Sequence, residues 1–288
     1  MDTLVQATVN GLALGAQYAL LALGFSLVFG VLGVINFAHG AFYVLGGYFT
    51  YSLMTGLGLP YALALIAAVL GVAAVGYVME LLLIEKIVDN HEGTLIVSLG
   101  FYFVVIAALT LFYGPEAVPV KFPVDSVLRL EGFYIPVARL IVIAVSAVAV
   151  LGLWFLLYRS KHGIALRALS ENRDVATMQG LRPRVYFPLA VALSAALAGL
   201  AGGLVTPIFT LEPPVGEAAL MVSFLVVVLG GLGSLIGAAS AAIGVGLVEA
   251  IAGTYLDGSL TRLLLFVIVL ALLIFRPSGI AGRSLRDA

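Results

Sequence analysis

The sequence has no cysteine and little charge. The absence of cysteine from its 288 residues excludes disulfides, thiolate metal sites and cysteine nucleophiles. Only 10% of the residues are charged and 62% are apolar, whereas soluble domains carry about 25% charged and about 45 to 50% apolar residues. With 14 Lys and Arg against 15 Asp and Glu the net charge is −1, so no overall basic field points to nucleic acid. The composition therefore indicates a membrane protein.

Uncharged or nearly uncharged runs recur along the whole chain. Residues 3–79 contain no Asp, Glu, Lys or Arg, and about 20 apolar residues suffice for one crossing. The runs lack the alternation of barrel strands, and lipid excludes open sheet edges, so the spanning elements are helices. The runs cover residues 4–29, 41–55, 60–84, 95–113, 140–158, 186–206, 218–248 and 263–275. The seventh is long enough to cross twice, turning near residues 230–234. We predict an all-α polytopic membrane protein, a single domain over residues 1–288 with about eight to nine transmembrane helices.

The positions of the basic residues predict which segments face the cytoplasm. The loop over residues 159–184 and the C-terminal tail hold most of them: Arg159, Lys161, Arg167, Arg173, Arg182, Arg184, Arg276, Arg283 and Arg286. Because Lys and Arg in short loops are retained inside, both segments are cytoplasmic and residues 114–136 lie outside. The first basic residue is Lys86, so the first run lacks the basic region of a cleaved signal peptide. The side of Met1 stays open, because the first run either spans once or is broken near residues 33–40.

The cytoplasmic segment over residues 163–183 is short, polar and flanked by two spans. Asn172 is a candidate N-cap, and Gly180 followed by Pro183 is a stop signal, so the segment forms a helix and a half. Small or polar residues recur every four positions along one predicted face: Gly163, Arg167, Ala168, Asn172, Ala176 and Gly180. Without this spacing, an ordinary loop whose arginines only enforce topology is the favoured interpretation.

Two further blocks place polar or small residues between apolar runs. In the first, polar residues and Gly40 follow Gly33, so the helix is interrupted there and its free backbone groups face protein or a water-filled cavity. These residues either cap two helices at a turn or line a transport pathway. In the second block, residues 228–234, the glycines either allow close helix packing or act as a hinge. The candidate pathway or hinge residues are Asn36, Phe37, His39, Gly40, Gly230, Gly231 and Gly233.

Several ionisable and aromatic side chains lie in or near the spans. Glu80 and Glu249 fall close to the ends of apolar runs, where we expect the carboxylates to reach the interface in a structural role. Four tyrosines either line a cavity or form an interfacial belt, and the belt is the commoner arrangement. They are Tyr18, Tyr43, Tyr48 and Tyr51.

The three blocks occur in an order that resembles the LivH-type permease subunit of branched-chain amino acid ABC importers. They read G-x-x-x-R-A-x-x-x-N-x-x-x-A-x-x-x-G over residues 163–180, I-N-F-A-H-G over 35–40 and V-L-G-G-L-G-S over 228–234, with P-S-G-I at 277–280 and Gly282 near the end. The resemblance runs from Asn10 to Gly282. It implies an ABC importer permease whose cytoplasmic segment, residues 159–184, couples to ATPases. The implied coupling residues are Gly163, Arg167, Ala168, Glu171, Asn172, Ala176 and Gly180.

The resemblance also implies partners and a substrate class. The chain contains no G-x-x-x-x-G-K-[ST] loop, so ATP is expected on separate ATPase subunits and no cofactor or metal on this chain. A second homologous permease, an extracytoplasmic binding protein and membrane lipid are the other implied partners, in the plasma (inner) membrane of a prokaryote. The implied substrate is leucine, isoleucine, valine or a similar small amino acid or amide. Its identity stays open, as does whether the permease pairs with itself.

Two other function classes compete with an importer permease. A gradient-driven channel or secondary transporter of a small polar solute such as urea or an amide typically carries a paired intramembrane charge, and the spans here are almost free of charge. An intramembrane enzyme needs a nucleophile with a base or a set of metal ligands. Only three histidines are present, and His91-Glu92 is not followed by a second histidine at Leu95 or Val97. The sequence therefore favours a transport subunit over an enzyme.

Overall fold

The computed structural model describes residues 2–118, 126–130, 133–208, 210–276 and 278–281. The helices in these ranges are α1 (Asp2–Leu32), α2 (His39–Leu57), α3 (Tyr61–Met79), α4 (His91–Tyr113), α5 (Val137–Arg159), α6 (Lys161–Glu171), α7 (Arg173–Met178), α8 (Pro183–Val205), α9 (Val215–Gly230), α10 (Leu235–Tyr255) and α11 (Gly258–Phe275). A π-helical turn, Glu80–Ile84, continues α3. The strands β1 (Val127–Leu130) and β2 (Phe133–Pro136) pair in an antiparallel hairpin that the apolar runs do not predict.

The predicted apolar runs form helices, which confirms the all-α membrane class. Within the described ranges, seven helices are long and apolar enough to cross a membrane: α1, α3 with its π turn, α4, α5, α8, α10 and α11. The other two long helices are α2 and α9. α9 has 16 residues and, at about 1.5 Å per residue, is shorter than the roughly 30 Å hydrocarbon layer.

Glycines let the inner helices approach one another closely. A Cβ atom added to Gly46 of α2 would overlap the backbone of Gly199 of α8, and one added to Gly202 of α8 would overlap the carbonyl oxygen of Tyr43. α1 packs most extensively against α10, where Gly15 meets the backbone of Gly246. Small residues therefore hold α1, α2, α8 and α10 together, as they do at helix interfaces in membranes.

The pairs of residues that meet across helices fix the side on which the chain begins. Gly11 of α1 packs on Leu247 of α10 and Gly30 approaches Gly233, so α1 and α10 are antiparallel. The end of α1 lies beside α6, because Gly30 and Arg167 line the same small cavity. We call the end of the bundle that holds α6 and α7 the basic end, after Arg159, Lys161, Arg173, Arg182 and Arg184. The start of α1 lies at the opposite end.

The chain breaks between α1 and α2, as the sequence predicts. The ring of His39, the first residue of α2, contacts Leu21 in the middle of α1 and Ser194 in the middle of α8. α2 therefore begins inside the bundle, and residues 33–38 run back into it from the basic end. α9 also begins inside, because Gly216 packs against Gly40.

The predicted turn in the seventh run separates α9 from α10. Gly231 has φ 104° and Gly233 has φ 79°, a left-handed backbone that side chains other than glycine rarely adopt. The chain after α11 folds back on this turn: the N–H groups of Ile280 and Ala281 donate to the last carbonyls of α9, at Leu229 and Gly230. The predicted tail residues Pro277, Gly282, Arg283 and Arg286 lie outside the described residues.

Candidate translocation cavity and coupling segment

A cavity of about 390 Å³ lies in the half of the bundle opposite the basic end. α1, α2, α9 and α10 form its walls, together with the chain that leads from α8 to α9. Its polar lining residues are Gln17, Tyr18, Tyr43, Thr206, Thr210, Glu212 and Glu249, and its apolar ones are Leu14, Leu21, Val205, Leu211, Val215, Ala218, Ala219 and Val222. The volume falls within the range of small-molecule sites, and the mixture of apolar walls with a few polar groups is typical of them.

Tyrosines and carboxylates supply the directed polar groups of this cavity. The hydroxyl of Tyr18 donates to Oε2 of Glu249 at 2.8 Å, and Nε2 of Gln17 donates to the hydroxyl of Tyr43 at 3.3 Å. The predicted interfacial belt is wrong for Tyr18, Tyr43 and Tyr48, whose side chains are buried in the bundle. The sequence could not separate the two arrangements, because a tyrosine within an apolar run has the same composition signal in either.

The predicted pathway residues around residue 36 tie helices together and do not line this cavity. Oδ1 of Asn36 accepts from the N–H of Ala38 at 3.0 Å, and the N–H of Phe37 donates to Ser98 of α4 at 3.1 Å. His39 is 1% exposed, and its two ring nitrogens lie 2.9 Å from the carbonyl oxygen of Leu21 and 3.2 Å from Oγ of Ser194. Gly40 packs on the backbone of Gly216 at the start of α9. A role in the transport pathway stays a prediction for these residues.

The predicted glycine block lies at the basic end, next to the coupling segment. Gly230 packs against the backbone of Gly237, and Gly231 ends α9. Gly233 lines a small cavity of about 30 Å³ together with Arg167 and Ser170 of α6. The structure thus brings together two of the predicted site groups, the glycine block and the coupling residues; Gly233 and Arg167 are 66 positions apart in the sequence.

The coupling segment is the predicted helix and a half, formed by α6 and α7. Oγ of Ser160 caps α6 by accepting from the N–H of Gly163, and Oδ1 of Asn172 caps α7 by accepting from the N–H of Val175. Gly180, at φ 89°, follows α7. Because the break falls at Asn172, the predicted residues do not share one helical face.

Several of the predicted coupling residues point into the protein. Gly163 packs on the backbone of α5, and Ala176 is 4% exposed. Nε of Arg167 donates to the carbonyl oxygen of Leu157 at 3.1 Å, and its guanidinium lies 4.3 Å from the ring centroid of Tyr158. Ala168 is half-buried, whereas Glu171, Asn172 and Gly180 are exposed. The inward residues fasten the segment to α5.

Three exposed apolar side chains lie on the coupling segment, and the four-residue pattern does not include them. Met178 is 87% exposed, and Ile164 and Val175 are about half exposed. They lie in a stretch whose other exposed residues are polar or glycine, so no part of the described chain covers these apolar side chains. The available signal was the presence of large apolar residues within a polar segment.

A family model decides the class of the chain. Residues 7–273 match the family described as the permease component of branched-chain amino acid transport systems. The chain belongs to this family. This membership confirms the resemblance seen in the sequence, and it supports the permease over a gradient-driven channel or secondary transporter.

Curated relatives agree with the permease family over nearly the full length. The chain is 29% identical to the high-affinity branched-chain amino acid transport system permease protein BraD of Pseudomonas aeruginosa and 28% identical to LivH of Escherichia coli, each over 97% of this chain and 96% of the relative. It is 29% identical to the permease protein LivM of Escherichia coli over 96% of this chain and 70% of that protein. No solved structure matches the chain. The relatives are transport permeases, not enzymes.

One carboxylate of the permease lies where the sequence does not predict it. Glu80 was expected at the interface, but its side chain is fully buried at the start of the π turn. Within the described part of the chain, neither of its carboxylate oxygens has a hydrogen-bond partner. The expectation is wrong because the turn of the chain after α3 buries this position against α4 and α8. The second carboxylate, Glu249, is only partly buried and lines the large cavity.

Proposed function

We propose that this permease is the membrane subunit of an ABC importer that carries branched-chain aliphatic amino acids across the plasma membrane of a prokaryote. The observation that carries the proposal is the placement of the two candidate sites. The 390 Å³ cavity lies in the half of the bundle opposite the basic end, and the coupling segment lies at the basic end. Basic loops are retained in the cytoplasm, so the cavity is directed outward and the coupling segment inward.

Separate ATPase subunits would dock on the exposed apolar side chains of the coupling segment. Met178, Val175 and Ile164 offer apolar anchors surrounded by polar residues, which is the usual anatomy of a protein interface. ATP would be bound by those subunits, and this chain would hold neither a cofactor nor a metal. Glu171, Asn172 and Gly180, which are also exposed, would contribute to the rim of this interface.

The inward-facing coupling residues would transmit the movement of the ATPases to the spans. Arg167 and Gly163 fasten α6 to α5, and the guanidinium of Arg173 lies 5.2 Å from the ring centroid of Phe187 in α8. A push on α6 and α7 therefore reaches α5 and α8 directly and, through the cavity shared with Gly233, the turn between α9 and α10. Rigid shifts of packed helices of this kind open and close a site between them.

The remaining partners would be a second permease and an extracytoplasmic binding protein. The similarity to both LivH and LivM of Escherichia coli supports a pair of related permease subunits. Several helices expose large apolar side chains around the bundle, and a second permease and lipid would cover them.

Reconstitution tests the proposal as a whole. The chain would be tagged, purified from its host in mild detergent with its associated chains, and placed in liposomes with ATP inside and the co-purified binding protein outside. We expect ATPases and a second permease in the preparation, and uptake of tritiated leucine, isoleucine or valine that requires ATP. Recovery of this chain alone, with uptake driven by a solute or proton gradient, would contradict it.

Variants of the coupling segment test the docking surface. Met178→Glu places a charge in an apolar contact, and we expect ATP-driven uptake to fall about tenfold or more, as for an interface anchor. Gln179→Glu adds the same charge at the neighbouring exposed position and should leave uptake within about twofold. Equal effects of the two variants would remove Met178 from the interface.

Variants of the inward-facing residues test transmission of the movement. We expect Arg167→Glu, which loses the bond to Leu157, and Ala168→Arg to uncouple ATP hydrolysis from uptake while membrane insertion stays intact. ATP hydrolysis, uptake and the amount of folded protein would be measured on the same preparations. Unchanged coupled uptake in both variants would show that these residues do not transmit force.

A further inference from the structure

The large cavity adjoins a smaller one that carries the opposite charge. The second cavity, of about 60 Å³, is lined by Asn10, Ala13, Leu14, Gln17, Arg139, Val142, Val205 and Ile208. The two cavities share Leu14, Gln17 and Val205. Glu212 and Glu249 are the charged residues in the lining of the first, and Arg139 is the charged residue in the lining of the second. Gln17 therefore lines both the cavity that contains the two carboxylates and the cavity that contains the guanidinium.

The guanidinium in the smaller cavity has unused hydrogen-bond donors. Arg139 is half-buried at the start of α5, and among the described residues its guanidinium has neither an ion pair nor a hydrogen bond. A guanidinium presents its donors in a planar fork that matches the two oxygens of a carboxylate. The smaller cavity thus suits an anionic carboxylate group.

The large cavity offers the complementary group. Glu249 is partly buried in α10, and the hydroxyl of Tyr18 holds its carboxylate by donating to Oε2. An ammonium group carries three donors and no acceptor, so it binds where carboxylate oxygens are held in place. The exposed Glu212, which lines the same cavity, adds a second negative charge.

We propose that the two cavities together bind the zwitterion of an aliphatic α-amino acid on its way through the permease. Glu249 accepts from the α-ammonium group, Arg139 donates to the α-carboxylate, and Gln17 lines both cavities. The apolar walls, which include Leu21, Val215 and Val222, receive the side chain. The inference rests on the proposed function and names the residues that recognise the substrate.

The physical reason for two opposite charges is desolvation. A zwitterion that leaves water loses the hydration of both charged groups, and each must find an opposite charge or the transfer is too costly. A ligand with only one of the two charges would leave either Glu249 or Arg139 without its partner in a half-buried site. Such a site therefore discriminates against simple amines and simple acids of the same shape.

Transport by variants of the full reconstituted importer tests the site. We expect Glu249→Gln and Arg139→Gln each to lower tritiated leucine uptake by about tenfold or more, the effect of one lost charged hydrogen bond. Leucine binding to the isolated binding protein, which does not contain these residues, should not change. Glu249→Asp and Arg139→Lys keep the charge and should recover part of the uptake. Glu217→Gln, an exposed glutamate of α9 outside both linings, is the matched control and should transport normally.

A second measurement on the unmodified transporter does not depend on whether the variants fold. Tritiated leucine binding to the purified complex without the binding protein would be competed with isoamylamine, which lacks the carboxylate, and with isocaproate, which lacks the ammonium group. We expect leucine to compete and each analogue to compete at least about tenfold less well. Competition by either analogue that equals that of leucine would overturn the zwitterion site.

The outcomes separate this inference from the proposed function. If wild-type proteoliposomes show no ATP-dependent amino acid uptake, the proposed function is wrong and the site with it. If wild-type uptake is ATP-dependent but Glu249→Gln and Arg139→Gln both stay within about twofold of it, the importer stands and the zwitterion site is wrong.

Discussion

The inner helices of this permease, which are buried in the bundle, differ in composition from the outer helices, which are exposed at its periphery. In the 18-residue apolar stretch of α1 83% of the residues are buried, and in that of α8 72% are buried. The same share is 17% in α4 and in α11. The inner helices carry glycine, alanine and the polar residues that bond between helices, such as His39 at the start of α2. The outer helices carry large apolar side chains that point away from the protein, such as Phe103 and Phe266. In this molecule the inner helices are less apolar than the outer ones.

Solvent explains this inversion relative to soluble proteins. Lipid tails are as apolar as leucine, so burying a large side chain between helices gains little, and close backbone packing and hydrogen bonds hold the helices together instead. The consequence is that small and polar residues mark the inside of the bundle. The stability of the permease should depend on them more than on its large apolar side chains.

The largest expected effect comes from adding bulk to an inner glycine. In Gly46→Val the new side chain would overlap the backbone of Gly199, which cannot move aside as a flexible side chain can. We expect a loss of at least about 3 kcal/mol of stability or no folded protein. Gly152→Val on the outer helix α5 places the same side chain in open space and should melt like the parent. Thermal melts in detergent with size-exclusion profiles measure both, and equal profiles would contradict the assignment of α2 and α8 to the interior.

The next effect concerns a polar link between inner helices. His39→Leu removes the bonds of the ring to Leu21 and Ser194, and we expect a loss of about 1 to 3 kcal/mol. Thr110→Val on the outer helix α4 removes only a bond to the carbonyl oxygen of Ile106 in its own helix and should cost much less. Melting temperature and uptake should fall together in His39→Leu. Lost uptake at unchanged melting temperature would assign His39 to the transport pathway.

A smaller effect of opposite sign is expected at the buried carboxylate. Glu80→Gln replaces a buried group that can carry a charge by a neutral one of the same shape, and we expect stability to rise by about 1 kcal/mol. Glu85→Gln, five residues later, loses the ion pair with Arg184 and should lower stability slightly. Chemical or thermal unfolding of the two variants side by side gives the comparison. A destabilised Glu80→Gln would mean that the carboxylate has a partner in the assembled transporter.

The smallest effect is expected at a surface ion pair that belongs to neither group of helices. Nη1 of Arg173 lies 2.6 Å from Oδ1 of Asp89. The two side chains are 40% and 80% exposed, so water screens the pair. Asp89→Asn should change the free energy of unfolding by less than about 1 kcal/mol. A larger change, seen by the same melts at low and high salt, would show that the basic end contributes to stability as well as to docking.

Local signals in the sequence determined much of this structure. The charge-free runs set the helices, because a charge inside lipid is costly and therefore rare. The glycines near residues 33 and 231 set the breaks, because they accept a left-handed backbone. Asn172 and Gly180 set the start and end of α7, since capping depends only on neighbouring residues. These features needed no knowledge of which helices meet.

Only the tertiary structure decided which face of each helix lies inside. A membrane helix is apolar all round, so its sequence lacks the polar and apolar faces that orient a helix in a soluble protein. The bond between Tyr18 and Glu249 joins residues 231 positions apart, and the burial of Glu80 and the inward turn of Arg167 likewise depend on neighbouring helices. The cavity and its charges also arise from this packing. The sequence therefore identified the family, whereas only the structure located the candidate site.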